Sequence, residues 1–164
     1  PIIMVRKFEI KPIKINDKNV CYNFFVDGIG LDKILGVDRL SDMRFSNFDF
    51  DVFEVEKTKF PQYNRLEIIK RAIDIYTGIE KPFNQFGTDR VVLYRCHCGC
   101  DYCGILSFKI VFDDEHVYWR DIQFESDNGN ETCEDISPIN ELQFEKVEYM
   151  NQFSAFLYNI AGSI

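Results

Sequence analysis

Four of the chain's six cysteines, Cys96, Cys98, Cys100 and Cys103, fall within eight residues, in the run Cys96-His97-Cys98-Gly99-Cys100-Asp101-Tyr102-Cys103-Gly104. Thiolates are metal ligands, and Cys100 and Cys103 have the Cys-x-x-Cys spacing of half a zinc site. A glycine beside a ligand lets the backbone turn so that its N–H groups point at sulfur. A closed zinc site needs four ligands. Cys98, Cys100 and Cys103 would supply three, and Cys96, His97 or the distant Cys133 the fourth. Against this, strong zinc signatures carry two pairs separated by a dozen or more residues. Adjacent residues of a strand also face opposite ways, which separates His97 from Cys96, Cys98 and Cys100. Two other readings fit the same run. One is a hairpin whose cysteines pack as small apolar groups, with glycines at the turn. The other is a redox pair at Cys100 and Cys103, which normally sits at a helix N-terminus, whereas the flanks here have the pattern of strands. The expectation is a hairpin without a cofactor. Zinc on Cys98, Cys100 and Cys103 is the alternative.

Little else in the chain is built for catalysis. There are two histidines. His97 lies inside the cysteine run, and His116 follows Asp113, Asp114 and Glu115, which reads as a solvated polar turn before it reads as a hard-metal site or a base. The sequence has no Gly-x-Ser-x-Gly elbow, His-Glu-x-x-His pair, phosphate-binding loop or dinucleotide fingerprint. Gly28-Ile29-Gly30 is too short for one and reads as a turn. A cysteine–histidine nucleophile across the hairpin has no spacing that supports it. Trp119 and the sixteen Phe residues read as core, not as cofactor contacts. A binding protein, not an enzyme, is expected.

Charge is distributed unevenly. From Asp113 to Glu148 there are twelve carboxylates and two cations, Arg120 and Lys146, a net of −10 in a chain of −8 overall, so the other 128 residues net +2. Such a face repels nucleic acid, whose phosphates need Lys and Arg. It attracts and steers a basic protein. The plainer reading is a solvated surface that maintains solubility. No apolar run reaches the ~18 residues of a membrane span, and residues 1–11 lack the apolar core of a secretory signal. A leader already removed would leave the same start. Crowded cysteines suit a reducing compartment better than a secreted disulfide framework, so a cytoplasmic location is expected.

The elements that position these residues follow from periodicity. With 46% hydrophobic residues, the chain suits one domain, 1–164. Residues 5–15 and 20–26 read as strands around the turn formers Asn16-Asp17-Lys18-Asn19, and Asp27-Gly28 stops the second. A short helical stretch covers Leu31 to Leu35, ended by Gly36. Residues 48–57 alternate as a strand. Asn64 caps a helix to Tyr76 with Leu66, Ile69, Ile73 and Tyr76 on one face and Gly78 at its end. Strands are expected at 90–98, 104–112 and 116–125. Leu106, Phe108, Ile110 and Phe112 share a face of the second. In the third, Val117 and Trp119 lie on one side and Ile122 and Phe124 on the other. An acidic loop, 126–141, leads to a short strand, 142–145. A last helix covers 146–160, with the stripe Val147, Met150, Phe153, Leu157, Ile160. The order predicts an α+β fold, an antiparallel sheet packed against two longer helices.

The span from Val91 to Glu125 carries Val-Val-Leu-Tyr-Arg-Cys-His-Cys-Gly-Cys-Asp-Tyr-Cys-Gly and then Val-Tyr-Trp-Arg-Asp-Ile-Gln-Phe-Glu. It resembles a group of small, poorly characterised bacterial proteins, in which a strand ending in Cys-x-Cys-Gly leads to a further Cys and then to a strand with Trp-x-Asp. That likeness covers about a fifth of the chain and implies no activity. In size, acidity and layout the chain is similar to immunity proteins of bacterial contact-dependent growth inhibition systems. That resemblance implies a cytoplasmic inhibitor of a toxin domain, often a nuclease, and carries no residue assignments. Together these lead to an expected immunity-type protein binding a basic toxin domain, with Asp127, Glu131, Glu134 and Asp135 of the acidic loop as contacts. A zinc-binding or thiol-dependent enzyme using the cysteine run is the alternative.

Overall fold

The computed structural model describes residues 4–16, 19–36, 48–49, 64–96, 101–126, 139 and 141–162. The elements run β1 (Val5–Arg6), β2 (Phe8–Asn16), β3 (Asn19–Val26), β4 (Ile29–Gly30), α1 (Leu31–Ile34), β5 (Phe48–Asp49), α2 (Arg65–Tyr76), β6 (Val91–Cys96), β7 (Ile105–Phe112), β8 (His116–Glu125), β9 (Leu142–Glu145) and α3 (Lys146–Ala161). A single 3₁₀ turn, Asp101–Cys103, lies between β6 and β7.

Local signals placed most of these. Asn64 accepts from Glu67 N at 3.0 Å while Glu67 accepts from Asn64 N at 2.8 Å, a reciprocal capping box that starts α2. Gly78, at φ 79°, ends it. Asp27 and Gly28, both at positive φ, make the two-residue connection between β3 and β4 that favours Asp-Gly. Of the expected strand 48–57, Phe48 and Asp49 pair with β6, and the remainder lies outside the described residues.

The assembly differs from an antiparallel sheet packed against two long helices. The described residues are mostly sheet: a curled, mixed half-barrel of order β1-β9-β8-β7-β6-β5, a separate sheet β2-β3-β4, and three helices, of which one stands at the C-terminus. Three physical causes account for the difference. First, β1 pairs parallel to β9, Val5 with Gln143 and Arg6 with Phe144, which makes the sheet mixed. Second, the chain changes sheet at Lys7. Asp27 pins that corner, accepting from Lys7 N and Arg6 Nη1, both at 2.9 Å, and donating its own N–H to Lys7 O at 2.9 Å. The β2–β3 hairpin therefore leaves the main sheet and lays Phe8, Phe24 and Val26 on its concave face. Third, bulges bend the sheet: the register slips by one residue at Leu93 in β6 and at Asp121 in β8, where Asp121 takes φ 52°.

The Asp121 bulge also resets the inside–outside alternation of β8. Val117, Trp119, Ile122 and Phe124 are all buried in one core, where strict alternation had placed them on two sides. Leu106 and Phe108 belong to that core, with Ile110 and Phe112 packed against it. On α3 the buried residues are Tyr149 and Phe153, while Val147 is 63% exposed. Of the expected stripe, Phe153 is in the core and Met150, Leu157 and Ile160 pack against it, whereas Val147 faces out and Tyr149 takes the buried place in the first turns. Phe8 ties the two sheets to α3, its ring 5.1 Å from Phe144, 5.8 Å from Trp119 and 4.8 Å from Tyr149. Among the described residues no helix is long and apolar enough to cross a membrane.

Candidate functional site

Two regions are chemically distinctive: the base of the cysteine hairpin and the acidic end of the main sheet. The hairpin rises from β6 at Cys96 and returns through the 3₁₀ turn into β7. Of the proposed ligands, Cys98 and Cys100 lie outside the described residues, and Cys103 ends the turn. Among the described residues no group of three or more His, Cys, Asp or Glu is placed to hold a metal.

The hairpin's base is anchored by polar groups. Asp101 is 1% exposed. One of its oxygens meets Arg95 Nε and the other accepts from Gln85 N at 2.7 Å. Asp101 N donates to Gln85 Oε1 at 2.7 Å, and Tyr102 Oη donates to Gln85 O at 2.9 Å. Gln85 follows Asn84, a fully buried side chain that accepts from Phe86 N and Thr88 N and donates to Arg90 O. Arg90 then reaches behind the sheet. It donates to Ser107 Oγ at 2.9 Å and Ser107 O at 3.0 Å, binds the carbonyl of Asp121 in the bulge, and lies 3.3 Å from Glu125. Burial pushes the Arg90 guanidinium below its ordinary pKa, and the charges of Glu125, Asp121 and Asp89 oppose that. Among the described residues, Arg95 Nη1 and Glu125 Oε2 are buried without a hydrogen-bond partner. Two cations and two carboxylates thus balance in a small polar interior on the convex face, where Val92 and Ile105 are also buried. Its chemistry is that of an anchor that fixes where the hairpin leaves the sheet. Sequence reasoning missed all of it. The available signal was an Asp inside the cysteine run, with Arg95 just before the run.

At the other end of the sheet, the β7–β8 turn is built on Asp113. Its Oδ1 accepts from Glu115 N at 2.8 Å and His116 N at 2.6 Å, and its Oδ2 accepts from Tyr118 Oη at 2.8 Å. Those backbone N–H groups, that of Glu115 first, hold its carboxyl below the usual pKa, and the hydrogen bond from Tyr118 Oη to Asp113 raises the Tyr118 phenol above its own. His116 Nδ1 is 3.9 Å from Asp113; it is the first residue of β8, opposite Glu145 of β9. Lys146 joins this turn to α3, donating N–H to Glu115 O at 2.8 Å and Nζ to Asp113 O at 2.9 Å. Glu145 caps α3 by accepting from Val147 N and Glu148 N. Asp113, Asp114 and Glu115 of the turn and Glu145 and Glu148 at the start of α3 thus meet at a junction whose lysine, Lys146, bonds backbone carbonyls. Farther along β8, Arg120 lies 3.0 Å from Glu141 and Lys109 3.8 Å from Asp121, so carboxylates there are paired. The expected contact residues Asp127, Glu131, Glu134 and Asp135 lie outside the described residues.

No family model, curated protein or solved structure matches the chain.

Proposed function

We propose that this chain is an immunity-type binding protein that neutralises a basic toxin domain in the cytoplasm. The observation that carries the reading is the net −10 of residues Asp113 to Glu148 against +2 for the rest of the chain. A field of one sign, concentrated in one stretch of the chain, raises the encounter rate with a basic partner and excludes anionic competitors. The acidic loop then occupies or screens the cationic surface with which such a domain would hold its own anionic substrate.

The test is co-expression with the protein encoded by the adjacent upstream gene, followed by association kinetics. That product should arrest growth and the wild-type chain should relieve the arrest. The triple variant Glu131→Lys, Glu134→Lys, Asp135→Lys should associate more slowly and protect less. Its stability should be nearly unchanged, as expected of a stretch whose sequence reads as a solvated polar loop. Raising salt from 0.1 M to 1 M, which shortens the Debye length from about 10 Å to about 3 Å, should slow the wild-type encounter. A harmless upstream product, an arrest that is not relieved, or a triple variant that binds at an unchanged and salt-independent rate overturns the proposal.

A further inference from the structure

The strand register aligns one row of side chains across four strands of the main sheet. Val5 of β1 faces Gln143 of β9, Gln143 faces Tyr118 of β8, and Tyr118 faces Val111 of β7. Their neighbours Trp119, Phe144 and Leu142 point into the core, so this row stands on the convex, solvent side. Val5 is 46% exposed and Val111 38%. The outer face of an antiparallel sheet is ordinarily polar, and isolated exposed aliphatics are common. Here Val5 and Val111 stand at the two ends of one row, with Gln143 and the Tyr118 ring between them.

The centre of the row is pre-ordered. Tyr118 is fixed at its hydroxyl by Asp113, and the Arg120 guanidinium lies 4.6 Å over its ring. Arg120 is itself held by Glu141 at 3.0 Å. Tyr and Arg are the side chains most often dominant at interfaces, and a side chain already immobilised loses less entropy on binding. On one flank the charges cancel in the pairs Arg120–Glu141 and Lys109–Asp121. On the other, His116 faces Glu145 across the strands, and beyond it stand Asp113, Asp114 and Glu115 of the turn. Four strands at about 4.8 Å spacing make the row about 14 Å long. That is the middle of an interface, whose usual footprint is about 800 Å² per partner.

We infer that the convex face of β1-β9-β8-β7, centred on Tyr118, Arg120 and Val111, is where the basic partner docks. Its apolar groups settle on the row, and its cations sit against the carboxylates of the β7–β8 turn. The inference rests on the basic-partner reading above and adds to it a surface on the main sheet.

Two ten-residue peptides of equal charge test it, one alternating Lys and Leu, the other Lys and Ser, titrated calorimetrically into the whole chain. The Lys-Leu peptide should bind wild type about tenfold more tightly, the worth of one well-buried apolar contact. Tyr118→Ala and Val111→Ser should each remove most of that preference and leave Lys-Ser binding unchanged. Emission from Trp119, the sole tryptophan and fully buried, reports that each variant is folded, and Val111→Ser serves if Tyr118→Ala is not. Equal affinities of the two peptides, or a preference that persists in the folded variants, overturns the docking face and leaves the basic-partner reading standing. No salt-sensitive binding of either peptide overturns the basic-partner reading itself.

Discussion

Truncating Trp119 to Ala tests whether the aromatic core is what joins the two sheets. Trp119 is 0% exposed. Its ring stacks on Phe108 at 4.2 Å with the planes 20° apart, and meets Phe144 at 5.3 Å, Phe24 at 5.4 Å and Phe8 at 5.8 Å. Phe8 and Phe24 come from the small sheet and Phe108 and Phe144 from the large one, so a cavity here lies between them. Burying aromatic truncations of this kind costs about 3–5 kcal/mol. The indole N–H donates to Tyr149 Oη at 3.3 Å, but Tyr149 also donates to Tyr76 O at 2.8 Å. Losing the indole strands no buried hydroxyl, so the hydrogen-bond share is at most about 1 kcal/mol. With a urea slope of about 2 kcal/mol/M, the midpoint should fall by about 1.5–2.5 M. Urea titration followed by far-ultraviolet circular dichroism measures this, since the variant has no tryptophan to watch. Trp119→Phe should cost clearly less, because it keeps a ring on Phe108. A loss under about 1 kcal/mol for the Ala variant, or equal losses for Ala and Phe, would refute the reasoning.

Three further outcomes are expected. Gly104 holds φ +126°, and a Cβ there would stand 2.6 Å from Phe124 Cζ, so Gly104→Ala should destabilise by roughly 2–4 kcal/mol in the same urea assay. Asp27 has its pKa lowered by the Lys7 N–H first and by Arg6 second. Its contribution is therefore fully present above its ordinary value and lost as pH falls through the depressed one, and a carboxyl titration by nuclear magnetic resonance should show ionisation persisting below 3.8. Elemental analysis of protein purified without added metal should find no stoichiometric zinc. Close to one zinc per chain, lost in the Cys100→Ser, Cys103→Ser double variant, would establish the zinc alternative.

The elements were legible in the sequence because their causes are local. The Asn64 capping box, the Asp27-Gly28 turn and the period-two run of β7 each lie within a few residues, and each formed where expected. The assembly was not legible, because it depends on single residues that act at a distance. Asp27 turns the chain out of one sheet at Lys7, and the Asp121 carbonyl bound by Arg90 fixes a bulge. No periodicity announces either. The bulge explains why Ile122 and Phe124 join Trp119 inside, and the corner explains why the β2–β3 hairpin forms a second sheet.

The acidic site was legible as a number and not as a shape. Counting charge treats the carboxylates of Asp113 to Glu148 alike, whereas folding sorts them. Glu125 opposite Arg90 and Glu141 opposite Arg120 are cancelled by a neighbouring cation. Asp113 and Glu145 are engaged differently, by backbone N–H groups of a turn and a helix end. Such bonds carry no net charge, so both carboxylates keep theirs, and both are immobilised. For Asp113 the bonds also lower the pKa, so it stays ionised to lower pH than a free aspartate. The partial positive charge of the α3 N-terminus offsets about half a unit there, well short of the surplus around Lys146. A fixed, lightly neutralised acidic rim beside the row of Val5, Gln143, Tyr118 and Val111 is a more specific surface than a net charge of −10 implies, and steering depends on that local field.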